Sequence, residues 1–411
     1  MAMSLRSDAQ TIISSAIQAV QPDAAVKRAL QGREFPGRVV LAAAGKAAWQ
    51  MAKAAQDCLG ARLDQGVVVT KYGHVSGPIP GCACYEGGHP VPDENSFRGT
   101  QAVLDLVSGL TAGDTVIFLL SGGGSALFEQ PLIPGEELQD VTSQLLSSGA
   151  DIVEMNTIRK RLSAVKGGRF AQLCAPAQVF SIVLSDILGD PLDMIASGPA
   201  CADQSTCAQA QAIAEKYHLN LTPQARELLD RETPKALDNV ETRITGSVRE
   251  LCTAAAQAAR ELGYEPVILT DLLCCQAREA GSFLASIACT HQGQGKKLAF
   301  LAGGETVVKL TGSGKGGRNQ ELALSAAQGI DGLVNVLVFS LGSDGTDGPT
   351  DAAGGIVDGQ TAPRLRAQGL SIHQVLEDND AYHALAKADG LIVTGPTGTN
   401  VNDVAVVLVA G

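Results

Sequence analysis

The stretch TVIFLLSGGGSAL, Thr115 to Leu127, decides how this chain is read. Its first six residues are apolar and rich in β-branched and aromatic side chains, too short a run for a buried helix and right for a buried strand. Three glycines between two serines follow, and the chain then re-enters helix-forming sequence. A strand, a tight glycine turn and a helix in succession are the repeating unit of an α/β protein. The turn is not a dinucleotide fingerprint. G-x-G-x-x-G beginning at Gly122 and Gly124 would need a third glycine at 127, where the chain has Leu127.

Working outward, the same alternation recurs. RVVLAAAG (38–45), GVVVTK (66–71) and QVFSIVLSD (178–186) read as strands, while 46–59 and 95–110 carry helical periodicity. The pattern predicts an α/β fold with a largely parallel sheet. The polar segment DRETPKALDNVETRI (230–244) interrupts the rhythm and marks a domain boundary, with domains expected at 1–235 and 236–411. Beyond it come a helix at 247–262, strands at 265–270 and 297–304 around a helix at 276–290, and strands at 335–345, 389–395 and 404–410. TVVKLTG (306–312) reads as a further strand paired with the one before it. No repeat of solenoid period and no low-complexity segment is present.

The composition narrows the function classes. At 411 residues, with 45% hydrophobic and 18% charged residues, the chain is a globular protein of two or three domains. A net charge of −12 argues against nucleic acid as a partner. The N-terminus has acidic and polar residues within its apolar periodicity, unlike a signal peptide, and no apolar run is long enough to span a membrane. The ten cysteines lack paired C-x-x-C spacing and fit a reducing cytoplasm.

In α/β sheets, ligands bind beyond the carboxyl ends of the strands, so the residues there are the candidates. Lys46 follows the first strand and, at the start of a helix, suits an anion. The turn Ser121-Gly122-Gly123-Gly124-Ser125 is a candidate phosphate cradle. Asp186 and Asp190 follow the strand at 178–186, where a carboxylate can hold Mg2+ or accept a hydroxyl proton. Arg159, Lys160, Arg161, Lys166 and Arg169 concentrate positive charge for an anionic substrate. SLGSDGTDGPTDAAGG (340–355) places Asp344, Asp347 and Asp351 on one loop, suggesting a metal-nucleotide site. It is no EF-hand, since the twelfth position from Asp344 is Gly355. TGSGKGGRNQE (311–321) is no P-loop either: Lys309 stands where the first glycine should, and Gly316 follows Lys315. Its Arg318 offers a planar fork of donors for a carboxylate or a phosphoryl group. Each loop alone is compatible with a purely structural role; their number and placement are not.

Taken together, LLSGGGSALFEQP, MNTIRKRLSAVKGGRFA, LSDILGDPLDMIASGP, GGETVVKLTGSGKGGRNQELAL, LGSDGTDGPTDAAGG and TGPTGTNVNDV resemble the glycerate 2-kinase family with a C-terminal MOFRL domain, some members of which bear the name hydroxypyruvate reductase. The match runs colinearly from Lys46 to Asp403. The resemblance implies a Rossmann-like three-layer N-terminal domain, a smaller α/β C-terminal domain and an active site in the cleft between them. It implies transfer of the ATP γ-phosphoryl group to the 2-hydroxyl of D-glycerate with Mg2+. Lys46, Asp186 and Arg318 would be catalytic, and Ser121 to Ser125, Arg159 and Lys166 would bind substrate. Gly303, Gly304, Glu305, Lys315, Thr397 and Asn400 would bind nucleotide; Asp190, Asp344 and Asp351 would bind metal. The family pattern more often has His where this chain has Arg161. The expected partners are D-glycerate and ATP, with no nucleic acid and no membrane, and a homodimer is compatible with the pattern. Two alternatives stand beside this: NAD(P)H-dependent reduction of hydroxypyruvate, and a non-catalytic sensor of phosphorylated metabolites.

Overall fold

The structure, a computed structural model, describes residues 5–411. It divides the chain into two compact units, Pro22–Thr245 and Gly246–Gly411, the latter joined by the N-terminal segment up to Gln21. The division falls at Gly246 rather than 236, and the first helix belongs with the distant half of the chain.

In the first unit, β1 (Val39–Ala44), β2 (Gln65–Lys71), β3 (Cys82–Gly87), β4 (Thr115–Leu120), β5 (Gln178–Leu184) and β6 (Val240–Gly246) form one sheet in the order β3-β2-β1-β4-β5-β6. The pairs β1/β2, β2/β3, β1/β4 and β4/β5 are parallel. β1 and β4 are buried along their whole length, which is why they read as unbroken apolar runs. Their alternate residues serve separate cores. Val40, Ala42, Val116 and Phe118 point to one face, and Val39, Leu41, Ile117 and Leu119 to the other. Phe118, Phe128 and Phe170 close the first core, with ring centroids 4.7–5.5 Å apart. The sequence reading passed over β3 and β6. CACYEG has no β-branched residue to announce a strand, and β6 lies partly inside the polar segment taken as a boundary.

In the second unit, β7 (Glu265–Leu273), β8 (Leu298–Gly304), β9 (Val336–Gly342), β10 (Gly354–Asp358), β11 (Leu391–Ile392) and β12 (Asp403–Val409) form a sheet ordered β11-β10-β9-β12-β8-β7. Only β7/β8 is parallel; the pairs β8/β12, β12/β9, β9/β10 and β10/β11 are antiparallel. The expectation of a largely parallel sheet therefore holds for the first unit alone. The strand expected at 306–312 is irregular, bridging only Val307 to Gln276. β8 already has β12 and β7 on its two sides, so a strand following it finds no edge to pair with. Asn379 holds this strap instead, accepting the backbone N–H groups of Thr311 (2.7 Å) and Gly312 (3.0 Å). The strand expected at 389–395 shrinks to two residues, β11, ahead of Gly395-Pro396.

The helix Leu5–Ala19 buries Ala9, Ile12, Ile13 and Ala16 in this second unit. Tyr264 donates to Asp8 (2.7 Å), and Thr399 donates to the carbonyl of Val20 (2.8 Å).

Candidate active site

In the first sheet the chain steps from β1 to β2 and β3 on one side, then continues with β4 and β5 on the other. The crevice between the carboxyl ends of β1 and β4 is thus the topological switch point, where α/β sheets bind ligands. Lys46 leaves β1 and Ser121–Ser125 leave β4 at this point. The two loops are laced together. Lys46 N–H donates to the carbonyl of Gly122 (2.9 Å), Ala47 N–H to Ser121 Oγ (3.1 Å), and Ser121 N–H to the carbonyl of Ala44 (3.0 Å). Gly45 has φ 121°, and a Cβ there would lie 2.3 Å from Ser121 Oγ, so only glycine allows the approach. Gly123 turns the chain with φ 85° into the short helix Gly124–Leu127. A Cβ on Gly122 would stand 2.2 Å from a carboxylate oxygen of Asp186. Lys46, the glycine turn and Asp186 therefore share one small volume.

The basic cluster behaves differently. Lys160 pairs with Asp203 (3.1 Å) and Asp193 (3.3 Å). Arg161 donates to Thr157 O, Ser205 Oγ and Ser205 O at 2.9–3.0 Å, and Arg169 donates to backbone carbonyls of Lys160 and Ser163. Lys166, fully buried, donates to the carbonyls of Ser125 (2.9 Å), Phe128 (3.2 Å) and Ala196 (3.4 Å) and lies 3.4 Å from the equally buried Glu129 carboxylate. Burial brings its ammonium down to about 8, against the opposing pull of Glu129. With its donors occupied, Lys166 props the glycine turn from beneath; this corrects its reading as a substrate contact. Arg159 reaches the same carbonyl. One guanidinium nitrogen donates to Ser125 O (3.0 Å), and its Nε is buried without a partner.

Asp190 has φ 52°, and its Oδ1 is also buried without a partner. It lies in the first unit, Asp344 and Asp351 in the second. Among the described residues no three His, Cys, Asp or Glu side chains converge to hold a metal.

A second constellation lies at one end of the second sheet. Arg318 opens the helix Arg318–Gly329. Its Nε and Nη2 grip the two carboxylate oxygens of Asp403, the latter at 3.0 Å, and its Nη1 donates to Glu305 (3.0 Å). Burial works against the guanidinium charge, but the hydrogen bonds and charge of Asp403, with Glu305 and Asp347, raise its basicity above that of a free arginine. Asn402 donates to the other oxygen of Glu305 (3.2 Å). Asp403 begins β12 opposite Gly304 and Gly342. A Cβ on Gly342 would sit 3.3 Å from Asp344 Oδ1 and 3.4 Å from Asp403 Oδ1, so these two carboxylates flank one glycine. Thr397 folds its loop onto the same place, its N–H donating to the carbonyl of Asp344 (3.2 Å) and its hydroxyl to that of Ser343.

The remaining candidates scatter. Asp351 accepts the hydroxyl of Tyr382 (2.7 Å), whose ring lies 4.6 Å from Lys315 Nζ. Asn400 is exposed, its side chain accepting only the N–H of Asn402 (3.4 Å). A Cβ on Gly303 would meet Cys252 at 2.4 Å, and one on Gly304 the backbone of Leu273 at 2.1 Å. Both glycines allow close packing. Asp403 was not singled out from the sequence, although an acidic residue opening an apolar run was the available signal.

A family model described as a domain of unknown function (DUF4147) matches residues 8–230, and the MOFRL family model matches residues 298–403. A D-glycerate 2-kinase of Thermotoga maritima is 53% identical over 99% of both chains. A crystal structure of a glycerate kinase from that organism superposes with a TM-score of 0.94 over 99% of each chain. A glycerate 2-kinase of Pyrococcus horikoshii is 40% identical over 99% of this chain and 98% of its own. A relative from Agrobacterium vitis, 39% identical over 99% of this chain and 95% of its own, is provisionally named a hydroxypyruvate reductase. With such identity along its whole length and a C-terminal MOFRL segment, the chain belongs to the glycerate 2-kinase family.

Proposed function

We propose that the protein transfers the γ-phosphoryl group of ATP to the 2-hydroxyl of D-glycerate, yielding 2-phosphoglycerate and ADP. The observation that carries this is the gathering of Lys46, the turn Gly122–Gly124 and Asp186 at the switch point of the first sheet. The bond from the γ-phosphorus to the β,γ-bridging oxygen breaks, and a bond from that phosphorus to the substrate's 2-oxygen forms. The hydroxyl proton passes to Asp186, the carboxylate against Gly122. Such transfer asks the protein chiefly to position reactants and neutralise charge on the equatorial oxygens. Lys46 supplies the positive charge and the glycine turn the close backbone approach. Arg318, the third residue expected to be catalytic, is held in the second unit by Asp403 and Glu305.

Mg2+ takes hard oxygen ligands and is usually held by one or two carboxylates together with phosphate oxygens. The unpartnered Oδ1 of Asp190 fits that donor chemistry. When bound, the ion would offset negative charge on the phosphates. Cytoplasmic residence fits ten free thiols. Among the described residues no helix is long and apolar enough to cross a membrane.

Reduction of hydroxypyruvate has less support: the third position of a dinucleotide fingerprint is Leu127, a fully buried core residue. The test is an assay with D-glycerate, ATP and Mg2+ coupled through enolase, pyruvate kinase and lactate dehydrogenase, without phosphoglycerate mutase. NADH loss requiring both glycerate and enolase is expected. Signal only with added mutase would move the phosphoryl group to another hydroxyl. Turnover of hydroxypyruvate with NADH or NADPH in place of kinase activity would overturn the proposal. Lys46→Ala is expected to lower kcat by about 10³-fold or more with the fold retained; wild-type kcat in that variant would remove Lys46 from its role.

A further inference from the structure

The loop after β3 brings to the glycine turn a side chain that carries no role in the reading above. A Cβ on Gly123 would lie 3.0 Å from Cδ2 and 3.1 Å from Nε2 of His89, and 3.1 Å from Cγ of Lys46. The imidazole edge and the lysine stem therefore bound the same small space at Gly123. Lys71, the last residue of β2, and His74, in the loop beyond it, stand near enough that their charges, with that of Lys46, add to burial in lowering the basicity of His89. His74 donates from Nδ1 to the carbonyl of Lys46 (3.0 Å). Among the described residues no hydrogen bond or ion pair engages Nζ of Lys46, Nζ of Lys71 or the ring of His89. Basic groups gathered at the ends of three neighbouring strands repel one another unless an anion joins them. On the other side of the turn stands a carboxylate, Asp186 against Gly122.

We propose that His89 is a substrate-binding residue whose Nε2–H, beside the ammonium of Lys46, holds the carboxylate of the hydroxy acid at Gly123 while Asp186 faces the hydroxyl at Gly122. The inference rests on the kinase reading above. The spacing supports it. Adjacent Cα atoms are about 3.8 Å apart, and in a 2-hydroxy acid the carboxylate is bonded to the carbon that bears the reacting hydroxyl. A neutral imidazole also suits the place, since it donates one directed hydrogen bond without a further full charge beside two lysines. This residue would then select acceptors that carry a carboxylate next to the hydroxyl.

Calorimetric titration of the full chain with D-glycerate alone tests the assignment, together with steady-state kinetics for glycerate and ATP. His89→Ala should weaken glycerate binding and raise its KM by about tenfold or more, the worth of a hydrogen bond to a charged group, while the KM for ATP changes by less than about twofold. His89→Gln, whose amide retains a donor, should recover most of the loss. Unchanged glycerate affinity in His89→Ala overturns the assignment, as does a loss that appears in the KM for ATP instead. Wild-type protein that neither binds nor phosphorylates D-glycerate overturns the kinase reading itself.

Discussion

Added at Gly122, one methyl group would sit 2.2 Å from the Asp186 carboxylate. Something must shift, and the carboxylate is the mobile partner. Gly122→Ala is therefore expected to displace the proposed proton acceptor and lower kcat by about 10²-fold, within the range of general-base catalysis, with circular dichroism unchanged. A variant with wild-type kcat would place Asp186 outside the reaction. The same contact explains what was legible one residue at a time. Lys46, the glycine turn and Asp186 are legible as candidates because their place after apolar strands is written in the sequence, and strand ends are where α/β ligands go. Lys166 was misread because a sequence displays charge but not the three carbonyls and the carboxylate that surround it. The converse holds for His89: nothing in the spacing between β3 and the next helix says that its ring returns to Gly123.

The helix Arg318–Gly329 shows what an element requires before it can present a side chain. Gly317 precedes it without a side-chain cap. Asp347 supplies one from another loop, accepting the N–H of Asn319 (3.1 Å) and of Gln320 (2.9 Å). Among Asp344, Asp347 and Asp351, the loop's central acid is thus a cap that fixes the start of the helix bearing Arg318, a distinction the spacing of the three does not contain. Burial pushes the Asp347 carboxyl up to about 6, although these N–H donors pull the other way. A carboxyl raised on folding binds its proton in the native state where the unfolded chain has lost it. Its contribution is fully present below the unfolded value and is lost as pH rises through the folded one. Relative to Asp347→Asn, the wild type should lose up to about 3 kcal/mol between about pH 4 and about pH 6. Urea unfolding of both proteins across that range measures it, and a flat difference would refute the shift. Strand direction was equally illegible: β8, β9 and β12 are buried throughout, and an unbroken apolar run looks the same in either direction.

At the scale of the whole molecule, the chain order conceals how the units are built. The helix Leu5–Ala19 is separated from its partners by the whole of the first unit, yet it packs on the helix Val248–Glu261 and buries Ala9 and Ile12 completely. Its amphipathic pattern says only that one face will be covered, and the nearest candidates along the chain are the wrong ones. Burial of two isoleucines with their alanine neighbours is worth about 4 kcal/mol or more, and losing the helix also strands the hydroxyl of Tyr264, which now donates to Asp8. Removal of residues 1–21 is therefore expected to act on the far half of the chain. Hydrogen exchange read by mass spectrometry should show lost protection along 248–261 and in β7, while β1, β4 and β5 keep theirs. If the exposed stretch is instead found in the first unit, or if 248–261 exchanges as in the full chain, the N-terminal helix does not belong to the second unit. Because Glu305, Arg318 and Asp403 form their ion-pair network in that unit, the truncated protein should lose kinase turnover, with D-glycerate binding at the glycine turn preserved in calorimetry.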